Sequence, residues 1–282
     1  MALTINEERK KQLDKIRRLA NNNVADHLQT VIEREQEGIP PIEYIKTNSV
    51  LDICFEEGFM IPSVNVIAGS TGDGKSLALL HLAYRASLEH KVLYISCENA
   101  IQTDYKRINK IRKTYGDIND NNITYINILD QEFEKDTKVT EKDVLNLIIK
   151  GDFEMIFIDS YQVMFDTDAE DGASLFQIGN KLIKLVYSAA VASNTAVFIT
   201  WQLVRAKIDK IEDVDENDIS QSMGIARYAT SMFVIKRNKK KSTDWKIKLV
   251  KSREDFLTND PIDLLYDNKF NLSNSKSLKD LL

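Results

Sequence analysis

From Ser63 onwards, short apolar runs alternate with amphipathic stretches, and this alternation predicts most of the secondary structure. Eight runs rich in Val, Ile, Leu and aromatic residues are predicted as strands, at 63–68, 91–96, 123–128, 154–159, 195–200, 231–236, 245–250 and 262–266. Four stretches are predicted as helices, at 75–89, 100–114, 140–150 and 174–192. The first five strands are apolar on both faces, which is typical of parallel strands, whereas the last three are joined by short connections. We therefore expect an α/β fold with a mostly parallel twisted sheet and an antiparallel C-terminal extension.

Ahead of this region, residues 5–36 carry a single apolar stripe at helical spacing. The stripe consists of Ile5, Leu13, Ile16, Ala20, Val24, Leu28 and Val31/Ile32. Three asparagines at 21–23 are expected to break or kink this helix, and Gly38, Pro40 and Pro41 end it. The stripe of such a helix either packs on its own domain or docks on another subunit. Two parts are thus predicted, a helical arm with its linker over 1–44 and an α/β domain over 45–282.

Composition excludes several classes of protein. With 43% hydrophobic and 29% charged residues, the chain of 282 residues is an ordinary globular protein rather than a disordered or collagenous one. No run approaches the roughly 18 apolar residues of a membrane span, and the charged N-terminus does not resemble a secretory signal. Two cysteines, Cys54 and Cys97, cannot form a disulfide framework, so a cytoplasmic setting is expected. The net charge of −5 excludes a globally basic nucleic-acid coat, although not a local basic channel.

The sharpest motif lies between the first long strand and the helix that follows it. Gly69-Ser70-Thr71-Gly72-Asp73-Gly74-Lys75-Ser76 fits the phosphate loop G-x-x-x-x-G-K-[ST] in the required strand–loop–helix context. Glycines allow backbone N–H groups to turn towards phosphate oxygens, and the helix N-terminus adds a partial positive charge. Lys75 is then expected to reach the β- and γ-phosphates of ATP, and the Ser76 hydroxyl to bind Mg²⁺.

Three further residues lie at or just after the C-terminal ends of predicted strands, and these ends should meet at the edge that carries this loop. Asp159 ends a run of four apolar residues, as a Walker B aspartate that completes the Mg²⁺ site does. Glu98 ends the strand after the phosphate loop, and this position favours a base that activates water over a solvated loop residue. Gln202 follows the strand 195–200, where a neutral amide can respond to the γ-phosphate.

Taken in order, these residues resemble the RecA-type ATPases, and within them the DnaB-like replicative helicases of bacteria and tailed phages. The resemblance covers about 45–275 and is closest to the phage members. It includes Thr47-Asn48-Ser49-Val50-Leu51-Asp52 with Gly58-Phe59, where Asn48 stands in place of the usual glycine. The other matching segments are Ser96-Cys97-Glu98, 158–164, 200–205, 218–230, Lys251-Ser252-Arg253 and 266–270. A RecA-like core for 45–282 is what this resemblance implies.

In that family, Lys251 and Arg253 would enter the phosphate site of a neighbouring subunit. Independently of the family, a guanidinium can spread over the oxygens of a transferring phosphoryl group, and such a finger is worth roughly 10³–10⁵ in rate. The other interpretation is that both residues lie on a solvated strand within the basic run 236–251. A finger acting between subunits requires a homo-oligomer, and the resemblance implies a ring of six in which the arm over 5–36 docks on the adjacent subunit.

The resemblance also implies that single-stranded DNA is held by the loops 161–175 and 203–220. The first loop has no Lys or Arg, whereas the second offers Arg205, Lys207 and Lys210, which are the expected DNA contacts. Acidic segments at 166–171 and 212–218 lie in the same loops. The basic run at 236–241 is instead expected to be a solvated turn between strands.

Three functions therefore remain open from the sequence. The first is an ATP-dependent, ring-forming DnaB-like helicase that moves on single-stranded DNA, with a primase or a helicase loader as partner. The second is a RecA-like recombination or annealing ATPase that does not unwind DNA. The third is an assembly or signalling ATPase of the same fold, which the acidic loops favour. Segment 218–230 and the Lys251/Arg253 pair favour the first.

Overall fold

The computed structural model describes residues 42–115, 122–129, 141–160, 175–203, 210–215, 223–238, 244–266 and 272–274. The chain divides into two compact units, Met1–Glu43 and Tyr44–Leu282. The helical arm predicted at 5–36 lies outside the described residues. The second unit contains the elements that form the candidate site.

The described secondary structure consists of eleven strands, five α-helices and one 3₁₀ helix. The strands are β1 (Glu43–Ile45), β2 (Phe59–Ile61), β3 (Ser63–Gly69), β4 (Val92–Ser96), β5 (Ile123–Asn127), β6 (Met155–Asp159), β7 (Ala196–Gln202), β8 (Ser231–Arg237), β9 (Asp244–Ser252), β10 (Ile262–Tyr266) and β11 (Leu272–Asn274). The α-helices are α1 (Lys75–Ala86), α2 (Ile101–Tyr115), α3 (Glu141–Lys150), α4 (Leu175–Ser193) and α5 (Met223–Tyr228), and the 3₁₀ helix is Val50–Cys54. None of the described helices is long and apolar enough to cross a membrane.

All eight predicted strands and the four predicted helices within 75–192 are present, with ends that differ by at most three residues. Strands β1, β2 and β11, the 3₁₀ helix and α5 were not expected. These elements are three to six residues long, which is too short for a hydrophobic period to be read from the sequence.

Nine strands form one sheet in the order β11-β10-β9-β8-β3-β7-β6-β4-β5, and β1 pairs with β2 in a separate two-stranded sheet. Strands β3 to β8 pair in parallel, and β8, β9, β10 and β11 pair with one another in antiparallel fashion. The predicted fold class, a mostly parallel sheet with an antiparallel C-terminal extension, is therefore confirmed.

Alternate residues of the parallel strands feed two separate cores, one on each face of the sheet. Phe157 of β6 packs with residues of α1 and α2, whereas its neighbours Ile156 and Ile158 pack with residues of α3 and α4. All three side chains are fully buried, and each such side chain contributes about 1.5–3 kcal/mol by leaving water. Burial on both faces explains why these strands are apolar throughout rather than alternating.

The segment that leads to the phosphate loop has a turn with specific backbone requirements. Asn48 has φ of 56°, a left-handed conformation that asparagine tolerates better than most residues, which explains how it replaces the family's glycine. Ser49 caps the 3₁₀ helix in a reciprocal capping box with Asp52. Gly58 has φ of 110°, and a Cβ atom there would lie 2.5 Å from the Ile45 carbonyl oxygen, so only glycine fits.

Parallel pairing brings the C-terminal ends of β3, β4, β6 and β7 to one edge of the sheet. Gly69 lies opposite Gln202, and Ser96 lies opposite Asp159. Ligands of open α/β sheets bind at this edge, because the connections that leave it diverge and open a crevice.

Candidate active site

Three glycines of the phosphate loop are constrained. Gly72 and Gly74 have a backbone conformation that favours glycine, and Gly69 and Gly74 lie close to neighbouring strands. Gly72 and Gly74 have φ of 83° and 89°. A Cβ atom on Gly74 would lie 2.6 Å from Cη2 of Trp245, and one on Gly69 would lie 2.8 Å from the Ile235 carbonyl oxygen. Strands β8 and β9 therefore form a wall against which the loop is packed.

Contacts within the loop hold Lys75 at the start of α1. The Asp73 carboxylate accepts the Ser70 N–H at 3.0 Å, and Lys75 Nζ donates to the Ser70 carbonyl oxygen at 3.0 Å. Burial lowers the pKa of the Lys75 ammonium, and the nearby carboxylates of Glu98, Asp159 and Asp73 oppose that shift. A half-buried cation at a helix N-terminus is suited to bind phosphate oxygens, which supports the predicted use of this loop.

Asp159 and Ser76 meet as a metal site requires. Asp159 is 1% exposed, and its carboxylate accepts hydrogen bonds from Ser76 Oγ at 3.1 Å and Thr200 Oγ1 at 2.8 Å. Burial raises the pKa of Asp159, whereas the hydrogen bonds from Thr200 and Ser76 lower it. One carboxylate and one hydroxyl fit Mg²⁺, which takes few protein ligands and completes its shell with water and phosphate oxygens. When bound there, Mg²⁺ would neutralise charge on those phosphate oxygens.

No group of three or more His, Cys, Asp and Glu side chains that could hold a metal ion occurs among the described residues.

Glu98 and Gln202 lie at the same edge of the sheet as the phosphate loop. Glu98 is exposed two residues beyond β4, and its charge acts on both Lys75 and Asp159. Gln202 is the last residue of β7, and its Nε2 donates to Thr71 Oγ1 at 2.9 Å. A carboxylate and an amide therefore lie beside the loop on the two strands that the sequence indicated.

Several residues of this site were missed by sequence reasoning. Tyr94 and Asn99 reach the Asp159 carboxylate, with Tyr94 OH at 3.4 Å and Asn99 Nδ2 at 3.3 Å. Thr200 also belongs to this group, and Trp245 contacts Gly74 from β9. A signal existed for Thr200, since a hydroxyl within a buried apolar strand needs a partner. Trp245 had no such signal, because it looks like an ordinary core aromatic.

Lys251 and Arg253 lie at the other end of the strands, away from the phosphate loop. In the register of β8 and β9, Trp245 pairs with Arg237 near the phosphate loop, whereas Lys251 pairs with Met232 at the far end. The six residues from Trp245 to Lys251 span about 20 Å. This distance exceeds the length of an arginine or lysine side chain, so neither residue serves the phosphate loop of its own chain.

At that far end, backbone carbonyls of α5 hold both cations. Lys251 Nζ donates to the Ala226 carbonyl oxygen, and the exposed Arg253 guanidinium donates to that of Arg227. Their placement is thus set by the C-terminal turn of a six-residue helix in the segment 218–230 that carried the sequence resemblance.

Of the predicted DNA contacts, Lys210 is exposed, and Arg205 and Lys207 lie outside the described residues. The acidic segment beside Lys210 is partly compensated within the chain. Lys246 Nζ lies 2.6 Å from a Glu212 carboxylate oxygen, and Lys248 Nζ donates to the carbonyl oxygens of Glu212 and Val214. The negative charge of Glu212 is therefore paired within the chain.

A phosphate loop, a buried aspartate opposite its serine, and strand-end glutamate and glutamine residues on a parallel sheet define a P-loop ATPase with a RecA-like core. Residues 53–198, just over half of the chain, match the AAA domain family, and the protein belongs to that family. No curated protein sequence matches the chain.

Solved structures with the same fold include an ATPase domain, a replicative helicase and a KaiC-like protein. The ATPase domain of G40P matches with a TM-score of 0.63 and 15% identity, covering 91% of this chain and 100% of that chain. A DnaB-like replicative helicase, solved in work on its interactions with primase, matches with a TM-score of 0.65 and 15% identity, covering 91% and 68%. The KaiC-like protein PH0186 from Pyrococcus horikoshii OT3 matches with a TM-score of 0.60 and 12% identity, covering 84% and 100%. At these identities the matches establish the fold, and at that level they confirm the resemblance to RecA-type ATPases and DnaB-like helicases.

Proposed function

We propose that the protein is an ATP-dependent motor that forms a ring and moves along single-stranded DNA, as a DnaB-like replicative helicase of phage type. The observation that carries the proposal is the separation along β9 between the phosphate loop and the Lys251/Arg253 pair. The chain has a phosphate site at one end of the strands and two anchored cations at the other end. This arrangement suits an assembly in which the cations of one subunit complete the phosphate site of its neighbour.

Within one subunit, the proposed roles follow the donor chemistry of the site. Residues 69–76 bind the phosphates of ATP, with Lys75 on the β- and γ-phosphates and Ser76 and Asp159 holding Mg²⁺. Glu98 accepts a proton from the attacking water, and Gln202 responds to the γ-phosphate while its amide contacts Thr71. The hydrogen bond from Gln202 to the phosphate loop supports such a response, since movement of one displaces the other.

Between subunits, Arg253 and Lys251 of one chain stabilise charge on the phosphates bound by the next. A closed ring of six, with the arm over 5–36 docked on the adjacent subunit, is the assembly that the sequence resemblance implies. Anchoring of both cations on α5 supports this role, because a finger must be held in place before the neighbouring site forms.

Single-stranded DNA would contact Arg205, Lys207 and Lys210 on the connection after β7, with a primase or a helicase loader as further partner. Pairing of Glu212 with Lys246 supports DNA binding, because it removes part of the repulsion that the acidic segment 212–218 would otherwise exert. In this proposal the motor works in the cytoplasm, where Cys54 and Cys97 remain reduced.

A second candidate is an assembly or signalling ATPase that does not bind nucleic acid. The acidic segments 166–171 and 212–218 favour it. A RecA-like annealing ATPase shares the chemistry of the first proposal and differs from it only in the absence of duplex unwinding.

The deciding experiment is ATP hydrolysis measured across a titration of single-stranded DNA at one fixed, moderate salt concentration. Strong stimulation that is lost when the titration is repeated at higher salt supports the motor, because phosphate contacts release counterions. The Lys75→Ala variant controls for a contaminating ATPase. Hydrolysis that DNA does not change, together with no salt-sensitive binding of a labelled strand, would favour the second candidate. A duplex unwinding assay then separates a helicase from an annealing protein.

A further inference from the structure

A largely buried group of polar side chains surrounds residues 96–99, the segment that carries Glu98. This group, the Asp104 cluster, comprises Ser96, Asn99, Asp104, Tyr125 and Asn127. We propose that Asp104, its central carboxylate, is a positioning residue that holds Glu98 in the orientation required for ATP hydrolysis. The inference rests on the proposed role of Glu98 as the base.

Asp104 lies in the first turn of α2 and is 1% exposed. Its Oδ2 accepts hydrogen bonds from Ser96 Oγ at 2.6 Å and from Tyr125 OH at 2.7 Å, and Arg107 lies 3.4 Å from its Oδ1. A buried carboxylate is costly unless it is paired and hydrogen-bonded, so these donors must stay arranged around it. Because Ser96 ends β4 two residues before Glu98, Asp104 fixes the N-terminal side of the segment.

The other side of the segment is fixed from β5. Asn127 Nδ2 donates to the Asn99 carbonyl oxygen at 2.9 Å and lies 3.3 Å from Tyr125 OH, the hydroxyl that also binds Asp104. Asn99 Nδ2 in turn reaches Asp159 Oδ2 at 3.3 Å. Glu98 is therefore held between two residues that are tied to the same cluster, and the cluster is connected to the proposed Mg²⁺ ligand.

A second connection runs from the cluster to the metal site through two aromatic rings. The rings of Tyr94 and Tyr125 stack with centroids 5.7 Å apart and planes 11° apart, and Tyr94 OH lies 3.4 Å from Asp159 Oδ2. The distance between Glu98 and Asp159 is thus restrained both by the backbone and by packed side chains.

Glu98 itself is exposed, so the direction of its carboxylate depends on the backbone that carries it. Buried ionic groups add little net stability compared with well-packed apolar residues, but their hydrogen bonds are directional. The hydrogen bonds of Asp104 therefore fix the geometry of the segment in addition to anything they contribute to folding. A misplacement of about 1 Å at a reacting group can lower a rate by about 100-fold.

The test begins with Asp104→Asn, which keeps the size of the side chain and removes its charge. We expect kcat for ATP to fall about 10- to 100-fold while the KM and the Kd of a fluorescent ATP analogue stay within about twofold. Asp152→Asn is the matched control, because Asp152 is 91% exposed and undergoes the same chemical change away from the site. Thermal unfolding midpoints of both variants check that the folded protein is being compared.

A double-mutant cycle with Glu98→Gln separates positioning from a general structural role. If Asp104 acts through Glu98, Asp104→Asn causes no further loss of single-turnover rate when Glu98 is already Gln. Equal losses in both backgrounds, a change mainly in nucleotide affinity, or an unchanged kcat would each overturn the inference.

Ser96→Ala and Tyr125→Phe each remove one hydroxyl donor to Asp104 and replace Asp104→Asn in the cycle if that variant does not fold. Full hydrolysis by Glu98→Gln alone would instead overturn the proposed role of Glu98. If Glu98→Gln lowers hydrolysis but Asp104→Asn does not, only the positioning role is overturned. The two failures can therefore be distinguished.

Discussion

The two ends of strand β9 have different surroundings. At the N-terminal end, Trp245 is 3% exposed, packs on Gly74, and lies 5.9 Å from the Arg237 guanidinium above its ring. At the C-terminal end, Arg253 is exposed and is held through backbone carbonyls of α5. The first end shapes a site within its own chain by close packing, whereas the second presents charge at the surface. The proposal that one strand contributes to two different phosphate sites therefore requires a packed end and an exposed end.

The largest expected effect tests the exposed end. Arg253→Ala should lower ATP hydrolysis by roughly 10³- to 10⁵-fold while nucleotide binding is nearly unchanged, because the guanidinium stabilises charge that develops only during transfer. Steady-state hydrolysis and the Kd of a fluorescent ATP analogue provide the measurements. Hydrolysis at the normal rate would exclude a site shared between subunits.

Mixing variants sharpens this test. Subunits carrying Arg253→Ala retain an intact phosphate loop, and subunits carrying Lys75→Ala retain an intact finger. Random 1:1 assembly should restore about a quarter of the sites in a closed ring, since an intact loop must meet an intact neighbouring finger. Mixtures without regained activity would contradict a finger supplied by a neighbouring subunit.

The next effect tests the site at the packed end. Lys75→Ala should lower hydrolysis about 10²- to 10³-fold by removing one preorganised cation, and it should also weaken nucleotide binding. Its matched control is Lys150→Ala, since Lys150 is exposed at the end of α3. Binding that is unaffected by Lys75→Ala would contradict a role in holding ground-state phosphates.

A stability difference tests the packing itself. Gly74→Ala should lower the free energy of unfolding by about 2–4 kcal/mol, because it combines a left-handed backbone with a clash against Trp245. Gly72→Ala is the control, since Gly72 has a similar φ but no atom within 4 Å of an added Cβ, so only about 1–2 kcal/mol should be lost. Equal losses in urea titrations of the two variants would mean that Trp245 does not constrain the loop.

The smallest effect concerns the residue after Arg253. Glu254 accepts the Met60 N–H at 3.0 Å through Oε2, and its Oε1 is buried without a hydrogen-bond partner among the described residues. Burial raises the pKa of Glu254 from 4.5 to about 7. The folded state then binds more protons than the unfolded state between those pH values, so stability should fall as the pH rises from about 4.5 to about 7 and change little above.

Glu254→Gln should remove this dependence, since an amide keeps the acceptor for Met60 and never ionises. The expected gain in thermal unfolding midpoint relative to the unmodified protein is larger at pH 8 than at pH 5. Glu56→Gln, a change at an exposed glutamate, should give the same small difference at both pH values. A gain that is independent of pH would show that Glu254 does not titrate in this range.

The strands and helices could be predicted because each is long enough to show its period. The sequence also predicted that Asp159, Glu98 and Gln202 lie at the strand ends beside the phosphate loop, since the ends of apolar runs are visible in the sequence. Asp104 was missed although a signal was present. It lies four and seven residues before Ile108 and Ile111, which places it on the buried face of α2.

By itself, the sequence determined the parallel sheet, the phosphate loop and the chemical types gathered around it, because these depend on local period and on the spacing of a motif. Only the tertiary structure decided that Trp245 closes on Gly74, that Ser96, Tyr125 and Asn127 converge on Asp104 and Asn99, and that Lys251 lies far from the phosphate loop of its own chain. The first two features are contacts between residues that are distant in the chain, and the third depends on strand register. Sequence spacing carries no information about which side chains meet across strands until the sheet has formed.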